Sequence, residues 1–384
     1  MAFRIFKYHG YRFIFYFFMS HSRPRLLSGD TPTGKLHLGH WLGTLQTRLA
    51  LQKTHECYFI IANVHALTTG AESPEKIRQN TLEVALDYLS VGFDPDQSHL
   101  FLQSEVPAIA ELSWFFSMLL SFPRVMRNPT LKEEIQRKKL GDHYPFGFLL
   151  YPVGQIADIL AFRPAIVPVG EDQIAHLEMA RECARRFNQL YCGVDPRTSD
   201  EDQLNQGGLF PVIEAKLSPV RRLIGIGAPN QDGVLPKMSK SLNNAIYLSD
   251  DKETIAKKVM SMYTDPKRLR ASDPGSTENN PLWVFHEAFN PDKAWVTEAK
   301  HKYQQGQIKD VDCKKKLIEV LVDLTEPFRE RRRYYESDLG WVLNSLLKGT
   351  EKANELAENT LSLAKKAMGL GYFKRKLSVS STPF

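Results

Sequence analysis

Short apolar runs alternate with amphipathic segments over the first half of the chain. Within it, Ser73 and Pro74 open a segment with helical spacing of apolar positions that stops near Gly92. Four mainly apolar runs have the length of buried strands: Arg25–Gly29, Cys57–Ala62, His99–Gln103 and Ile166–Val169. Strands that alternate with helices predict an α/β fold with a Rossmann-like, doubly wound parallel sheet, whose ligand lies beyond the carboxyl ends of the strands.

The second half of the chain predicts helices. Apolar positions recur at helical spacing over Asp251–Tyr263, Lys314–Arg333 and Glu351–Met368. The segment Ile109–Ser121 is apolar nearly all round, which predicts a helix in the core or at an interface. We divide the chain into an extension (1–18), an α/β domain (19–241), a helical domain (242–340) and a C-terminal helix that packs back toward the core, with a tail (341–384).

Composition sets broad limits. The 384 residues are 24% charged and 42% hydrophobic, with a net charge of +6, which suits a soluble protein of several domains and is compatible with a nucleic-acid partner. Four cysteines without a C-x-x-C pair argue against zinc, iron–sulfur and disulfide frameworks, so we expect a cytoplasmic protein with no metal held by its own side chains.

Residues 1–18 are rich in aromatic and basic side chains and contain no acid. The apolar run Phe13–Met19 is shorter than the roughly 20 residues that a membrane span needs, so we expect no membrane association. We interpret the segment as an upstream extension, poorly ordered or loosely docked; a transit peptide is the alternative.

Two stretches suggest phosphate chemistry. After the first strand, a turn-rich loop runs from Gly29 to Gly34, and His37-Leu38-Gly39-His40 opens a helix. Backbone N–H groups and the helix dipole hold phosphate at such a place, and the two imidazoles could donate to one phosphate chain. Gly39, lacking a side chain, would let a flat ring lie on its backbone. A tight turn with two internally bonded histidines is the alternative interpretation.

The second stretch is the basic loop Pro236–Ser241, with the sequence PKMSKS. Lysine carries a compact charge on a flexible stem, which suits a moving phosphate, whereas a solvated surface turn is the alternative. Farther upstream, the acids of Gly170-Glu171-Asp172 follow a strand and could accept from sugar hydroxyls. An acidic first helical turn, favoured by the helix dipole, explains that tripeptide equally well.

One carboxylate stands among apolar neighbours, Asp158 in the segment Tyr151–Leu160. A carboxylate is costly to bury without a partner, and an indole N–H is a donor that needs an acceptor. Asp158 is therefore our candidate acceptor for an indole. An exposed or N-terminal helix acid is the alternative.

HLGH at 37–40 followed by KMSKS at 237–241 resembles the paired signatures of class I aminoacyl-tRNA synthetases. Segment 170–176 and the context of Asp158 resemble the bacterial-type tryptophanyl-tRNA synthetases, and the likeness covers about Leu27 to Leu370. It implies a tryptophan–tRNA ligase that forms tryptophanyl-adenylate from L-tryptophan and ATP, with Mg²⁺ accompanying ATP, and transfers it to tRNA(Trp). Residues 19–241 would be the catalytic domain and 242–340 the tRNA anticodon-binding domain.

The resemblance also implies a homodimer, for which Ile109–Ser121 is a candidate interface. Beside a synthetase core, a cluster of basic residues becomes a candidate tRNA contact: Arg329, Arg331, Arg332 and Arg333.

Carried over residue by residue, the resemblance implies three sets of site residues. The catalytic set is His37, His40, Lys237 and Lys240. The ATP-binding set has three residues in common with the catalytic set: His40, Lys237 and Lys240. Its other members are Thr31, Pro32, Thr33, Gly39, Gly170, Glu171, Asp172, Leu223, Met238, Ser239 and Ser241. The tryptophan set is Gly29, His65, Tyr151, Gln155, Asp158, Val167, Val169 and Gln173, with Asp158 taking the indole proton. Gln155 stands where many bacterial members carry Met.

Three alternatives stay open at this point. Tyrosyl-tRNA synthetases share the fold and both signatures, although Asp158 and the Gly170–His176 segment favour tryptophan. A smaller nucleotidyltransferase of the superfamily would lack the KMSKS loop and the long helical tail. A non-catalytic paralogue that binds RNA or regulates would not need the histidine and lysine pairs.

Overall fold

The structure is a computed structural model that describes residues 5–8, 11–14, 23–137, 144–170, 173–217 and 223–373. Strands β1 (Ile5–Tyr8) and β2 (Tyr11–Ile14) form a separate antiparallel pair. The main sheet contains five parallel strands: β3 (Arg25–Asp30), β4 (Glu56–Ile61), β5 (Ser98–Leu102), β6 (Ile166–Val169) and β7 (Glu214–Leu217).

The order of these strands is β5-β4-β3-β6-β7, so the chain enters at the centre, moves outward to β5, and then crosses to the other side. This order confirms the predicted doubly wound parallel sheet. The direction reverses between β3 and β6, and a crevice for ligands opens beyond the carboxyl ends of strands at such a point.

Helices account for most of the remaining chain. In order, they are α1 (Leu38–His40), a π-helical turn (Trp41–Leu45), α2 (Gln46–Leu51), α3 (Asn63–Gly70), α4 (Pro74–Val91), α5 (Pro107–Ser117), α6 (Phe122–Met126), α7 (Pro129–Arg137), α8 (Phe146–Leu160), α9 (Ile174–Cys192), α10 (Lys252–Met260), α11 (Pro281–Phe289), α12 (Lys293–Gln304), α13 (Asp310–Glu336) and α14 (Leu339–Ala367). Short 3₁₀ turns lie at Gln103–Glu105 and Asp200–Asp202.

The central strands are buried on both faces, which explains their continuous apolar sequence. Leu26 and Phe59 face the core that includes α4 and α13, whereas Leu27 and Ile60 face the core formed with α5, α8 and α9. Each core excludes large aliphatic and aromatic side chains from water, which is the main source of stability for such a layered fold.

Strand β7 was not predicted from the sequence. Its sequence, Glu-Ala-Lys-Leu, is largely exposed at the sheet edge and carries no apolar run. Only pairing with β6, such as Val167 opposite Ala215, makes it a strand. An edge strand of this kind leaves little signal in the sequence.

Helix α14 covers the opposite edge of the sheet. The backbone N–H of Leu102 in β5 donates to Thr350 Oγ1 at 3.3 Å. At the preceding residue, a Cβ added to Gly349 would lie 1.9 Å from the carbonyl oxygen of Leu100, so the helix backbone approaches β5 as closely as only glycine permits. The C-terminal helix thus occupies an edge that would otherwise expose unpaired backbone groups.

The basic cluster on α13 differs from its prediction. Arg329 and Arg332 are buried, and Arg332 donates to Asp87 and Glu83 of α4 at 2.5 Å each. Arg331 donates to the carbonyl oxygen of Ser90 at 2.6 Å. The predicted tRNA contact is therefore wrong for Arg329 and Arg332, whose guanidinium groups are buried and bonded within the fold. The run of charges could not reveal this, because the partner acids lie some 245 residues away.

None of the helices in the described ranges combines the length and the apolar character that crossing a membrane demands.

Candidate functional site

The loop between β3 and α1 is held in a defined shape at the carboxyl edge of the sheet. Thr33 N–H donates to the carbonyl oxygen of Thr31 at 2.8 Å, and Gly34 adopts a φ of +122°, which few other residues tolerate. The backbone N–H of Leu36 donates to the buried carboxylate of Asp87 at 2.6 Å. These bonds fix the entry of the chain into the HLGH motif.

The two histidines of that motif cap the helix and face each other. Gly39 N–H donates to His37 Nδ1 at 3.1 Å, His37 N–H donates to His40 Nδ1 at 3.1 Å, and the ring centroids are 3.9 Å apart. Burial lowers the pKa of His37 to about 2 and that of His40 to about 4. Both rings are therefore neutral near pH 7, and because Nδ1 accepts in each, Nε2–H is the remaining donor.

Gly39 has no room for a side chain. A Cβ at this position would lie 2.9 Å from the ring atoms Cε1 and Nδ1 of His37, and 3.6 Å from Cβ of Met238. The tight contact is therefore with His37 of the same motif, whereas Met238 of the second motif would be met at an ordinary van der Waals distance. The Nδ1 bonds within the motif agree with the alternative of internally bonded histidines, while phosphate binding from Nε2 and a flat ring on Gly39 stay predictions.

A charged cluster that the sequence analysis missed lies directly behind the loop. Asp30 Oδ2 accepts from Arg48 and from the Tyr88 hydroxyl at 2.6 Å each, and Arg48 also donates to the carbonyl oxygen of Gly29 at 3.1 Å. Burial by itself would raise the pKa of Asp30, but the Arg48 guanidinium, His40 and the two hydrogen bonds hold it well below its usual range. Asp30 is the last residue of β3, but no spacing rule joins it to Arg48 or Tyr88.

The KMSKS loop lies against the first motif. Lys240 Nζ donates to the carbonyl oxygen of Gly34 at 2.7 Å and to Thr33 Oγ1 at 3.1 Å. Burial lowers the pKa of Lys240 to about 8. Met238 is buried and its N–H donates to the carbonyl oxygen of Leu223 at 3.0 Å. The fold thus brings together two stretches separated by about 200 residues in the chain.

Asn244, also missed from sequence, holds the KMSKS loop from within. Its Oδ1 accepts from Ser239 N–H at 2.7 Å, and its Nδ2 donates to the carbonyl oxygen of Lys237 at 3.1 Å. The hydroxyls of Ser239 and Ser241 are 3.0 Å apart. One buried amide therefore fixes the backbone on both sides of Met238.

Asp158 lies at the other end of the crevice, on α8. It is 4% exposed, its Oδ2 is 2.7 Å from His65 Nε2, and its Oδ1 accepts from Gln103 Nε2 at 2.7 Å. A carboxylate offers about four acceptor positions, so these two bonds leave capacity for a further donor. The exposed-acid alternative is excluded by this burial. Gln103 was not predicted as a site residue, although a polar side chain at the end of a parallel strand is a usable signal.

The other residues predicted to bind tryptophan lie on several elements. Gln155 Nε2 donates to Gln173 Oε1 at 2.9 Å, and the rings of Tyr151 and His65 pack edge to face with centroids 6.2 Å apart. Val167 and Val169 lie on β6, whereas Gly29 lies on β3.

Gly29 packs closely on β4, since an added Cβ would lie 2.0 Å from the carbonyl oxygen of Ile60. Of the predicted ATP residues, Thr31 and Pro32 belong to the β3–α1 loop, and Gly170 accepts from Gln173 N–H at 3.0 Å. Glu171 and Asp172 lie outside the described residues.

Sequence comparison places this geometry among known proteins. The family model "tRNA synthetases class I (W and Y)" matches residues 19–326. Curated tryptophan–tRNA ligases resemble the chain along almost all of its length. The enzyme from Streptococcus agalactiae is 44% identical over 358 residues, which are 92% of this chain and 100% of that protein. The enzyme from Streptococcus pneumoniae is 44% identical over 357 residues, which are 92% of this chain and 99% of that protein.

Solved structures give the same picture. Tryptophanyl-tRNA synthetase from Campylobacter jejuni, in complex with ADP and tryptophan, aligns with a TM-score of 0.75 and 29% identity over 90% of this chain and 100% of that one. The synthetase from Mycoplasma pneumoniae aligns with a TM-score of 0.72 and 25% identity over 91% of this chain and 98% of that one. A tyrosyl-tRNA synthetase from Archaeoglobus fulgidus shares the fold, with a TM-score of 0.58 at 20% identity.

Proposed function

Because the chain belongs to the class I tRNA synthetase family of the tryptophan and tyrosine enzymes, and its curated relatives are tryptophan–tRNA ligases, we propose that the site described above carries out tryptophan–tRNA ligation. The observation that carries the proposal is the contact of Lys240 with the Thr33–Gly34 loop, next to the neutral histidine pair. Donors from both signature motifs thereby converge on one edge of the sheet, between β3 and β6.

The first step joins tryptophan to AMP. The tryptophan carboxylate attacks the α-phosphate of ATP in line, the bond to the β-phosphate breaks, and pyrophosphate leaves. His37 and His40 donate from Nε2–H to the phosphate chain, with Gly39 against the adenine. Because no side chain acts as a nucleophile, catalysis consists of positioning and of stabilising charge as it develops.

Lys240 and Lys237 move toward the leaving pyrophosphate and stabilise its charge only in the transition state. Lys240 exchanges its bonds to Gly34 and Thr33 for the leaving pyrophosphate, and Lys237 approaches the same group, with Ser239 and Ser241 adding hydroxyl donors. Interactions of this kind act on kcat more than on KM. The carbonyl and hydroxyl that hold Lys240 now are neutral, so exchange for a polyanion is favourable.

Asp158 selects the amino acid. Its carboxylate accepts the indole N–H, while Tyr151, Gln155, Gln173 and the β6 valines enclose the side chain. Phenylalanine offers no donor and would leave a buried acceptor unpaired, which is expected to reduce kcat/KM by about 10⁴.

Mg²⁺ enters with ATP. Among the residues that the structure describes, no group of three or more His, Cys, Asp or Glu side chains is arranged to hold a metal ion. The phosphates and water therefore provide its ligands, as is common for this hard cation. When bound, Mg²⁺ neutralises phosphate charge.

The second step and the assembly involve larger partners. The adenylate is transferred to the terminal ribose of tRNA(Trp) in the cytoplasm, and the net charge of +6 favours this polyanion. We propose a homodimer through α5 and its neighbours, because large apolar side chains are exposed there: Trp114, Met118, Phe122 and Phe146. Light scattering is expected to give twice the chain mass for the parent and the mass of a single chain for Trp114→Asp. A monomeric parent chain would refute the dimer.

Amino-acid-dependent ATP–pyrophosphate exchange tests the function. We expect exchange with tryptophan and background values with tyrosine and phenylalanine. Lys240→Ala should reduce the exchange mainly by lowering kcat. Asp158→Ala should reduce it mainly by weakening the preference for tryptophan over phenylalanine. Exchange with tyrosine alone would identify the sister enzyme. Folded protein that binds ATP but exchanges with none of the three amino acids would refute a synthetase.

A further inference from the structure

One side chain, that of Gln103, links the two elements that form the acceptor for the indole. It is 5% exposed and lies in the 3₁₀ turn that follows β5. Its Nε2 donates to Asp158 Oδ1 at 2.7 Å, while His65 Nε2 occupies Asp158 Oδ2 at the same distance. Each carboxylate oxygen therefore has one internal partner, and Gln103 supplies one of the two.

The other end of Gln103 holds the helix that carries His65. Its Oε1 accepts from the backbone N–H groups of Val64 at 3.0 Å and His65 at 3.1 Å. Helix α3 has no side-chain cap at Ala62, so Gln103 satisfies N–H groups that would otherwise be unpaired in the first turn. The amide orientation is fixed on both sides, since only its oxygen can accept from these N–H groups and only its nitrogen can donate to the carboxylate.

We propose that Gln103 is a positioning residue for amino-acid selection, which holds Asp158 and His65 in one fixed arrangement. The inference rests on the proposed function, in which Asp158 accepts the indole N–H. A rigid acceptor discriminates because it cannot turn to another donor when phenylalanine is bound. Without Gln103, Oδ1 loses its donor and α3 loses its cap, so the carboxylate is free to rotate and to recruit water.

The decisive variant is Gln103→Glu. It keeps the length of the side chain and an oxygen for the N–H groups of Val64 and His65, but it presents an oxygen instead of a donor to Asp158. Gln103→Leu removes both functions. Ser104→Ala is the matched control, because Ser104 is the next residue, bonds to Asn63 and Glu105, and has no bond to Asp158.

Exchange kinetics at several pH values test the proposal. Loss of a hydrogen bond to a charged group predicts a ten- to hundred-fold rise in KM for tryptophan in Gln103→Glu, with KM for ATP changed less than two-fold. The tryptophan-to-phenylalanine ratio of kcat/KM should fall at least ten-fold. Because two adjacent carboxyl groups share a proton at lower pH, the defect relative to the parent should shrink from pH 8 to pH 6.

Two results would overturn the inference while leaving the proposed function intact. If the parent is active with tryptophan, and both Gln103 variants keep its KM for tryptophan and its selectivity within two-fold, then Gln103 does not position the acceptor. If Gln103→Glu raises KM for ATP and KM for tryptophan by the same factor, and this factor does not change with pH, then the role of Gln103 is only structural. If the parent itself shows no tryptophan-dependent exchange, the proposed function fails, and this inference fails with it.

Discussion

The buried ion pair between α4 and α13 makes a sharp prediction for stability. Arg332 donates to Asp87 at 2.5 Å, and the side chain of Asp87 is 1% exposed. The same carboxylate accepts from the backbone N–H of Leu36 at 2.6 Å, immediately before the HLGH motif. Arg332→Ala removes one partner of a buried pair, which predicts a loss of about 3 kcal/mol in the free energy of unfolding at pH 7.

The predicted loss depends on pH, and its sign follows from the proton balance. Burial raises the pKa of Asp87 to about 6 even with Arg332 present. In the variant this pKa rises further, so the folded variant keeps a proton that the unfolded chain has already released. Stability of the variant therefore falls as pH increases, and the difference from the parent should grow by about 1.4 kcal/mol per pH unit above pH 6.

Urea unfolding at pH 6, 7 and 8 measures this difference. Glu336→Gln is the control, because Glu336 also pairs with Arg332 but is 46% exposed, so its removal should cost less than about 1 kcal/mol at every pH. Combining Arg332→Ala with Asp87→Asn removes the titrating carboxyl and should abolish the pH dependence. A loss below 1 kcal/mol that does not vary with pH would refute the reasoning.

Three further predictions concern the active site and the sheet edge. The pKa of Lys240 is lowered to about 8, so kcat/KM for ATP in the exchange assay should fall up to ten-fold per pH unit above that value. In Lys240→Arg, kcat/KM for ATP should not change over this pH range, because arginine stays charged. Identical pH profiles of the parent and the variant would contradict this prediction. Gly39→Ala places a Cβ 2.9 Å from the His37 ring and should reduce kcat/KM for ATP at least ten-fold, with the midpoint of urea unfolding little changed; unaltered ATP kinetics would disprove the packing argument. Gly349→Ala places a Cβ 1.9 Å from the Leu100 carbonyl oxygen and should lower the free energy of unfolding in urea by at least about 2 kcal/mol. Gly147→Ala is the control and should be nearly neutral, because an added Cβ would have no atom within 4 Å. Equal effects of the two substitutions would argue against the close contact.

The class of fold could be predicted from local patterns in the sequence, and the phosphate and indole chemistry of the motifs was proposed from their residue types. Strand β4 (Glu56–Ile61) is buried on both faces after its first residue, so the sequence from Cys57 onward is apolar, and a short continuous run of this kind is a local signal. The pairing of His37 and His40 is also a local signal, because a spacing of three residues brings the two rings together within one helical turn. The acceptor role of Asp158 was predicted from a single carboxylate among apolar neighbours.

Which charged and polar groups meet depends on how the elements pack in three dimensions. Asp30 with Arg48, Asp87 with Arg332, and Gln103 with Asp158 are pairs separated by 18, 245 and 55 residues. Such partners leave no periodicity in the sequence, because a hydrogen bond depends on distance and direction in space and not on separation along the chain. For the same reason the four arginines of α13 were predicted as a tRNA contact, whereas the fold turns Arg329 and Arg332 inward to acids and carbonyl groups of distant elements.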